Sequence, residues 1–423
     1  MSRPIRIAIP GGGLAGASLM CALLQYPHLD VHIFESASAF REAGMAVGVT
    51  RNAQDALDLI GPRAAELLKL AGAVPMRGVR FMIAQKDGQG EVINEVDDVK
   101  AGKRLTSIVH RAALLQQLLA NVSEDRLHAS KKLSSIDQHP DSITLHFTDG
   151  TTHECDILIG ADGIHSTVRK FILGEDDPAA SPRNTGVWAV MTIQPYAKAR
   201  ASIGQGLVDS DHAREYSWVG DGSYMMHNIL SDGQLVQLII SSSDPEAESS
   251  DRWQRVVSAD EIKTLYADYP PHLRQAVEEL LGQEPEQHAI YLWEHPPART
   301  YVSGPVCIMG DAAHATTPWQ GSGGGMSIED SLILSTLLGH AASPLEARAA
   351  LKAYDQVRRP RTQRIVESSR GTGTMLIGKG ETGVEMKRLG NLLPRWDFIL
   401  DIDMLEHRNE AMQKMQDELA AST

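Results

Sequence analysis

A chain of 423 residues that is 42% hydrophobic is long enough for two packed domains around a sizeable core, which excludes a disordered or fibrous protein. Its 40 basic against 54 acidic residues leave a formal charge of -14, so the average field repels a phosphate backbone and excludes nucleic acid as a partner. Three widely spaced cysteines, Cys21, Cys155 and Cys307, each in or beside an apolar run, fit a reducing compartment rather than a disulfide framework or a zinc site.

Residues 5–9 (IRIAI) predict a short strand ended by a glycine cluster, residues 14–25 a helix, and Val31 to Phe34 a second strand, together a βαβ unit. The same glycines interrupt the apolar stretch after Arg3 and Arg6 where the core of a leader peptide is continuous, so that stretch reads as folded structure. No run approaches the roughly 20 apolar residues of a membrane span, and a cytoplasmic protein is expected. Gly11, Gly13 and Gly16 fit G-x-G-x-x-G between strand and helix. Gly11 permits the tight turn, Gly13 clears space for a pyrophosphate, and Gly16 lets the helix pack on the strand. The helix start at Leu14 and Ala15 offers unpaired N–H groups to the diphosphate. Glu35, ending the next strand about 20 residues on, can accept hydrogen bonds from ribose hydroxyls.

Further strands are predicted at Ile143 to Phe147, Ile157 to Ile159 and Val306 to Met309. Between Asn184 and His288 the character changes. Strand-like runs at Val187 to Thr192, Arg214 to Val219, Tyr224 to Leu230 and Gln234 to Ser241 are joined in part by Asp221-Gly222 and Asp232-Gly233, which are turn signals. An antiparallel meander inserted into a parallel α/β domain is the reading. After Pro344 the pattern is helical, and Glu406 to Ala420 looks like a solvated amphipathic helix. The expected organisation is a Rossmann-like FAD-binding domain at 1–75, 100–183 and 289–375, an antiparallel β-sheet substrate domain at 76–99 and 184–288, and C-terminal helices at 376–423.

Two later segments carry a more specific signal. The first is Gly160-Ala161-Asp162-Gly163, continuing to Arg169; the second is Gly310-Asp311-Ala312-Ala313-His314, running through Pro318 and Gly321 to Met326 and on to Glu329-Asp330. With the N-terminal motif they resemble the group A flavoprotein hydroxylases, the family of para-hydroxybenzoate and salicylate hydroxylases, over about residues 5–400. Val109-His110-Arg111 and Arg395-Trp396-Asp397 bring the salicylate hydroxylases nearer. The resemblance implies FAD as cofactor, NAD(P)H as transient co-substrate, and hydroxylation of a small aromatic, phenolic substrate by oxygen through a flavin C4a-hydroperoxide. It implies that Asp311 meets the ribityl chain, that Ala46 and Arg111 help to hold the flavin, and that Asp162 lies near the diphosphate. Gly323, Gly324, Gly325 and Met326 then start a helix aimed at the flavin N1/O2 edge, where helix-terminal N–H groups stabilise negative charge. His314 and Arg169 read equally well as structural residues.

The sheet of the inserted domain is the expected roof over the flavin, with Tyr216, Tyr224, His227 and Pro318 as the catalytic candidates. Alternation puts Tyr216 with Trp218 on one side of their strand, and Tyr224 with Met226 opposite Met225 and His227, but leaves open which face looks inward. Relatives often carry a Tyr-Arg pair near Val187; here the stretch is Gly186-Val187-Trp188-Ala189, which favours a less anionic, larger or more apolar aromatic substrate than salicylate. A flavin epoxidase or oxidative decarboxylase of the same fold, or a silent nucleotide-binding sensor, are the alternatives. A monomer and a homodimer are equally compatible with the sequence.

Overall fold

The computed structural model describes residues 3–41, 46–86, 88–379 and 392–421, so part of the expected C-terminal helical region lies outside the described residues. A six-stranded sheet runs in the order Val302–Ser303, Val306–Ile308, Ile157–Gly160, Ile5–Pro10, Leu29–Phe34, Leu127–His128. It is parallel except for the edge hairpin at Val302–Ser303. The central strands are apolar almost without interruption because both faces are covered, which is the burial a parallel sheet requires. Leu19, Leu334 and Leu351, from helices Leu14–Leu23, Gly323–Gly339 and Pro344–Leu376, share one core with Ile7, Leu158 and Ile308. Three neighbouring strands end at Pro10, Gly160 and Ile308, so the three glycine-containing motifs emerge side by side at one sheet edge, where open α/β sheets bind ligands.

The second sheet has eight strands, in the order Gln254–Ser258, Glu286–Glu294, Arg183–Pro195, Leu235–Ser243, Ser223–Leu230, Glu215–Val219, Val79–Ile83, Val92–Glu95. The expected meander forms its centre. The sheet is antiparallel except where Val79–Ile83 pairs in parallel with Glu215–Val219. One face is closed by helices Tyr196–Ile203, Ala259–Leu265 and Pro271–Leu280, which bury Ala199, Ile262 and Val277 against Trp188, Trp218 and Met225.

Two smaller antiparallel sheets complete the frame. Leu133–Gln138, Ile143–Phe147 and Thr152–Cys155 form one, so the predicted strand at Ile143 pairs outside the parallel sheet. Ala46–Val49, Thr106–His110 and Val74–Met76 form the other, which bridges toward the large sheet through a hydrogen bond from the Ala46 N–H to Gln237 Oε1 at 3.1 Å. The C-terminal helix Met404–Ala421 is less solvated than its charges suggest, since it buries Met404, His407, Ala411 and Met415. Among the described residues no helix is long and apolar enough to cross a membrane.

Candidate active site

Gly11 has φ of 107°, and a Cβ there would lie 2.0 Å from the carbonyl oxygen of Ala161; a Cβ on Gly16 would lie 2.0 Å from the carbonyl oxygen of Gly11. Turn, neighbouring strand end and helix are thus packed backbone to backbone, which only glycine allows. Pro10, which withholds a donor, still closes its strand by accepting the Ala161 N–H at 2.8 Å. Gly13 caps helix Leu14–Leu23 without a side chain, so the N–H groups of Leu14, Ala15 and Gly16 have no helical partner. Glu35 accepts the N–H of Gly12 at 2.8 Å and that of Ala37 at 2.7 Å. Its carboxylate shapes the glycine turn in addition to any ligand it meets.

Asp162 follows the next strand end. It accepts the N–H groups of Thr167 at 2.7 Å and Val168 at 3.2 Å and the Ser166 hydroxyl, so its charge caps helix Thr167–Leu173. Burial raises its pKa. Arg169 in that helix is fully buried, and among the described residues no carboxylate pairs with it. It donates instead to the carbonyls of Ala179, Pro296, Ala312 and Ala313 at 2.6 to 3.0 Å, and burial pushes its pKa down to about 10. Arg169 therefore supports the backbone that presents Asp311.

Asp311 itself is exposed at the third strand end. The preceding Gly310 has φ of 58°, and a Cβ there would stand 2.5 Å from the Ala15 side chain, which locks Asp311 beside the first helix. Helix Gly323–Gly339 begins at Ser322, whose side chain caps nothing, leaving the N–H groups of Gly323, Gly324 and Gly325 without helical partners. Met326 is buried in the first turn, and a Cβ on Gly324 would lie 2.6 Å from Val47, so Ala46–Val49 closes against this helix start. Arg111 opens helix Arg111–Leu119, next to His110, which pairs with Ala46. Ala46, Arg111 and Gly324 are thereby gathered on one side of the cleft.

Behind that helix start lies a buried ionic network that residue-by-residue reading missed. Arg358 donates to Asp330 at 2.8 Å, to Glu329 at 2.6 Å and to the Met326 carbonyl at 3.2 Å, and all three side chains that carry charge here are fully buried. Asp330 also pairs with His314 at 2.7 Å and accepts the Gly310 N–H at 3.0 Å; Glu329 is further held by Arg361 and Asn52. Burial alone would raise both carboxyls, but the adjacent cations hold them below the ordinary carboxylate range. One network thus ties the Gly310-Asp311 turn to the Gly323 helix. Its sequence signal was two adjacent acids inside an otherwise apolar helix.

The eight-stranded sheet separates the catalytic candidates. Tyr216 and His227 stack on each other at 5.2 Å on the helix-covered face, away from the cleft. Their expected position as pocket residues is corrected: the three covering helices turn that face into core, and burial pushes His227 down to about 3. Tyr224 lies on the opposite face, edge-on to Trp319 at 5.4 Å, next to the exposed Pro318. Its hydroxyl is 2.8 Å from that of Ser217. Burial, and secondly the charge of Glu215, push the Tyr224 phenol above its usual range, so it stays protonated. Met191, Ile239 and Met226 are cross-strand neighbours on this face and keep part of their surface open, forming an apolar trough between the Ala46–Gln237 contact and Trp319.

The profile of the FAD binding domain family matches residues 5–369, most of the chain and all three strand-end motifs. The chain belongs to the FAD binding domain family. Among relatives, a 6-methylsalicylate 1-monooxygenase of Aspergillus terreus is 38% identical over 382 residues, 87% of this chain and 82% of that one. An FAD-dependent monooxygenase of Monascus ruber is 32% identical, covering 96% of both chains. In fold the chain is similar to a salicylate hydroxylase solved as a substrate complex, with TM-score 0.82, 24% identity and coverage of 96% of this chain and 98% of that one. This member of the FAD binding domain family is therefore an FAD-dependent monooxygenase. Its residues fit the cofactor: two uncapped helix starts, glycine positions that admit no Cβ, and an exposed Asp311 carboxylate surround one cleft.

Proposed function

We propose that the protein hydroxylates a small phenolic aromatic compound with NAD(P)H and oxygen. The observation that carries this reading is the partly open apolar trough of Met191, Ile239 and Met226 on the sheet face that bears Tyr224, beside Trp319 and linked through Ala46–Val49 to the uncapped start of the Gly323 helix. Bound FAD, once reduced, supplies the oxygen activation. The chain supplies the rest. The N–H groups of Leu14 to Gly16 hold the diphosphate, Glu35 the adenosine ribose, Asp311 the ribityl chain, and those of Gly323 to Gly325 stabilise negative charge on the reduced ring. Ala46 and Arg111 flank the ring, Asp162 orders the loop near the diphosphate, and Pro318 borders the substrate. The trough excludes water and orients the aromatic ring, on which coupling of oxygen to substrate depends.

The test is NADH and NADPH oxidation by the purified holoenzyme across a panel of phenols, with product mass. Stimulated oxidation with a product one oxygen heavier supports the reading, and no stimulated oxidation or hydroxylated product across the panel overturns it. Tyr224→Phe should keep flavin reduction near wild type but raise hydrogen peroxide released per nicotinamide consumed, because it removes a hydroxyl that faces substrate and none that supports the FAD site. Wild-type coupling in this variant would remove Tyr224 from the pocket.

A further inference from the structure

At one end of the trough the Glu215 carboxylate sits without a cation. No Lys, Arg or His of the described residues lies within ion-pair distance, and its polar neighbours are two long contacts, from Asn228 Nδ2 and Ser217 Oγ, both at 3.5 Å. The neighbouring Arg214 is engaged with Glu95, Asp97 and the Val96 carbonyl, and Arg80 with Glu95. On strands Val79–Ile83, Glu215–Val219, Ser223–Leu230 and Leu235–Ser243, the alternation that puts Arg80 and His227 on the covered face leaves Glu215 the only charged residue on the cleft face. It keeps part of its surface open, as do the trough residues beside it. A half-buried carboxylate with no cation beside it and its pKa raised by burial has unused acceptor capacity, and a ligand that donates to it relieves the cost of that burial.

We propose that Glu215 selects an uncharged aromatic ring carrying a hydrogen-bond donor and rejects one carrying a carboxylate. This rests on the trough being the substrate site. A phenolic O–H or an N–H of the ligand gives Glu215 the charge-assisted hydrogen bond it lacks. A ligand carboxylate brings a like charge into the same poorly solvated space, where among the described residues no cation lies within ion-pair distance of Glu215 to offset it.

Salicylamide and salicylate isolate the point, since they share shape and phenol and differ in charge. Titration of each into the holoenzyme, read as the change in flavin absorbance, should show salicylamide binding about tenfold or more tightly, the scale of a hydrogen bond to a charged group. Glu215→Gln keeps the side chain's size and removes its charge, and should narrow that gap to about threefold or less, mainly by tighter salicylate binding. Salicylate binding as tightly as salicylamide to the wild type, an unchanged gap in the variant, or no response to either probe at millimolar concentration overturns the proposal. The wild-type comparison decides even if the variant holds no flavin. Because it reads binding, it is separable from the hydroxylase reading: a clear preference for salicylamide without turnover of any phenol sinks that reading alone, and tight binding with hydroxylation of salicylate sinks this one alone.

Discussion

Arg358→Met should lower folding stability by about 3–5 kcal/mol and cost the protein its FAD at the same time, because it removes a buried cation shared by two buried carboxylates. Arg358 is fully buried, and its guanidinium bridges Asp330, Glu329 and the Met326 carbonyl. Glu329 would keep Arg361 and Asn52, but Asp330 would retain only His314 and the Gly310 N–H. The same carboxylate holds the turn before Asp311, and Met326 stands in the first turn of the Gly323 helix, so the defect reaches both walls of the cofactor cleft. The sign with pH follows from the wild-type shifts. Glu329 and Asp330 have folded pKa values held below their unfolded ones, so their contribution is present above the ordinary carboxylate range and is lost as pH falls through their folded values. In the variant the lost cation lets burial raise the Asp330 carboxyl, and protonation then relieves the fold. Urea midpoints of the two proteins should therefore lie far apart at neutral pH and converge as pH falls into the carboxylate range. A separation that is small at neutral pH, or that grows on acidification, would show that the network is not what ties the cleft together.

The parts of this site that were legible in the sequence are those built from backbone and glycine at short range. Gly11 and Gly16 announce themselves because the tight turn and the helix packing each forbid a side chain within a few residues of one another, and the Gly310-Asp311 turn does the same after its strand. Non-local pairing was not legible. Val79–Ile83 joins Glu215–Val219 across more than half of the sheet's sequence span, and three-residue Val74–Met76 carries a proline and no alternation worth reading. Alternation did sort Tyr216 with Trp218 and Tyr224 with Met226, yet it is symmetric about the sheet plane. Only the helices Tyr196–Ile203, Ala259–Leu265 and Pro271–Leu280 break that symmetry, by filling one face and leaving the other to the cleft. Glu215 escaped notice for the same reason: a glutamate at a strand start reads as solvated until the sheet's inner face is known.

Asp311→Ala should weaken FAD binding by about tenfold to a hundredfold, the range for loss of a hydrogen bond to a charged group, while leaving apoprotein stability within about 0.5 kcal/mol of wild type. The separation from Arg358→Met is the point of the comparison. Asp311 is exposed at the strand end, and among the described residues its side chain makes no hydrogen bond or ion pair that the fold would miss. Its position is secured from elsewhere: Gly310 packs on Ala15, the Gly310 N–H is held by Asp330, and the carbonyls of Ala312 and Ala313 are held by Arg169. Three separate groups, Ala15, Asp330 and Arg169, fix the backbone under a carboxylate that among the described residues has no partner of its own, as a ligand-binding residue requires, because orientation is then supplied before the ligand arrives. Flavin titration of the apoprotein and urea unfolding without flavin measure the two quantities separately. Equal FAD affinity in variant and wild type would remove Asp311 from the cofactor site, and a loss of apoprotein stability comparable to that of Arg358→Met would reassign it to the frame.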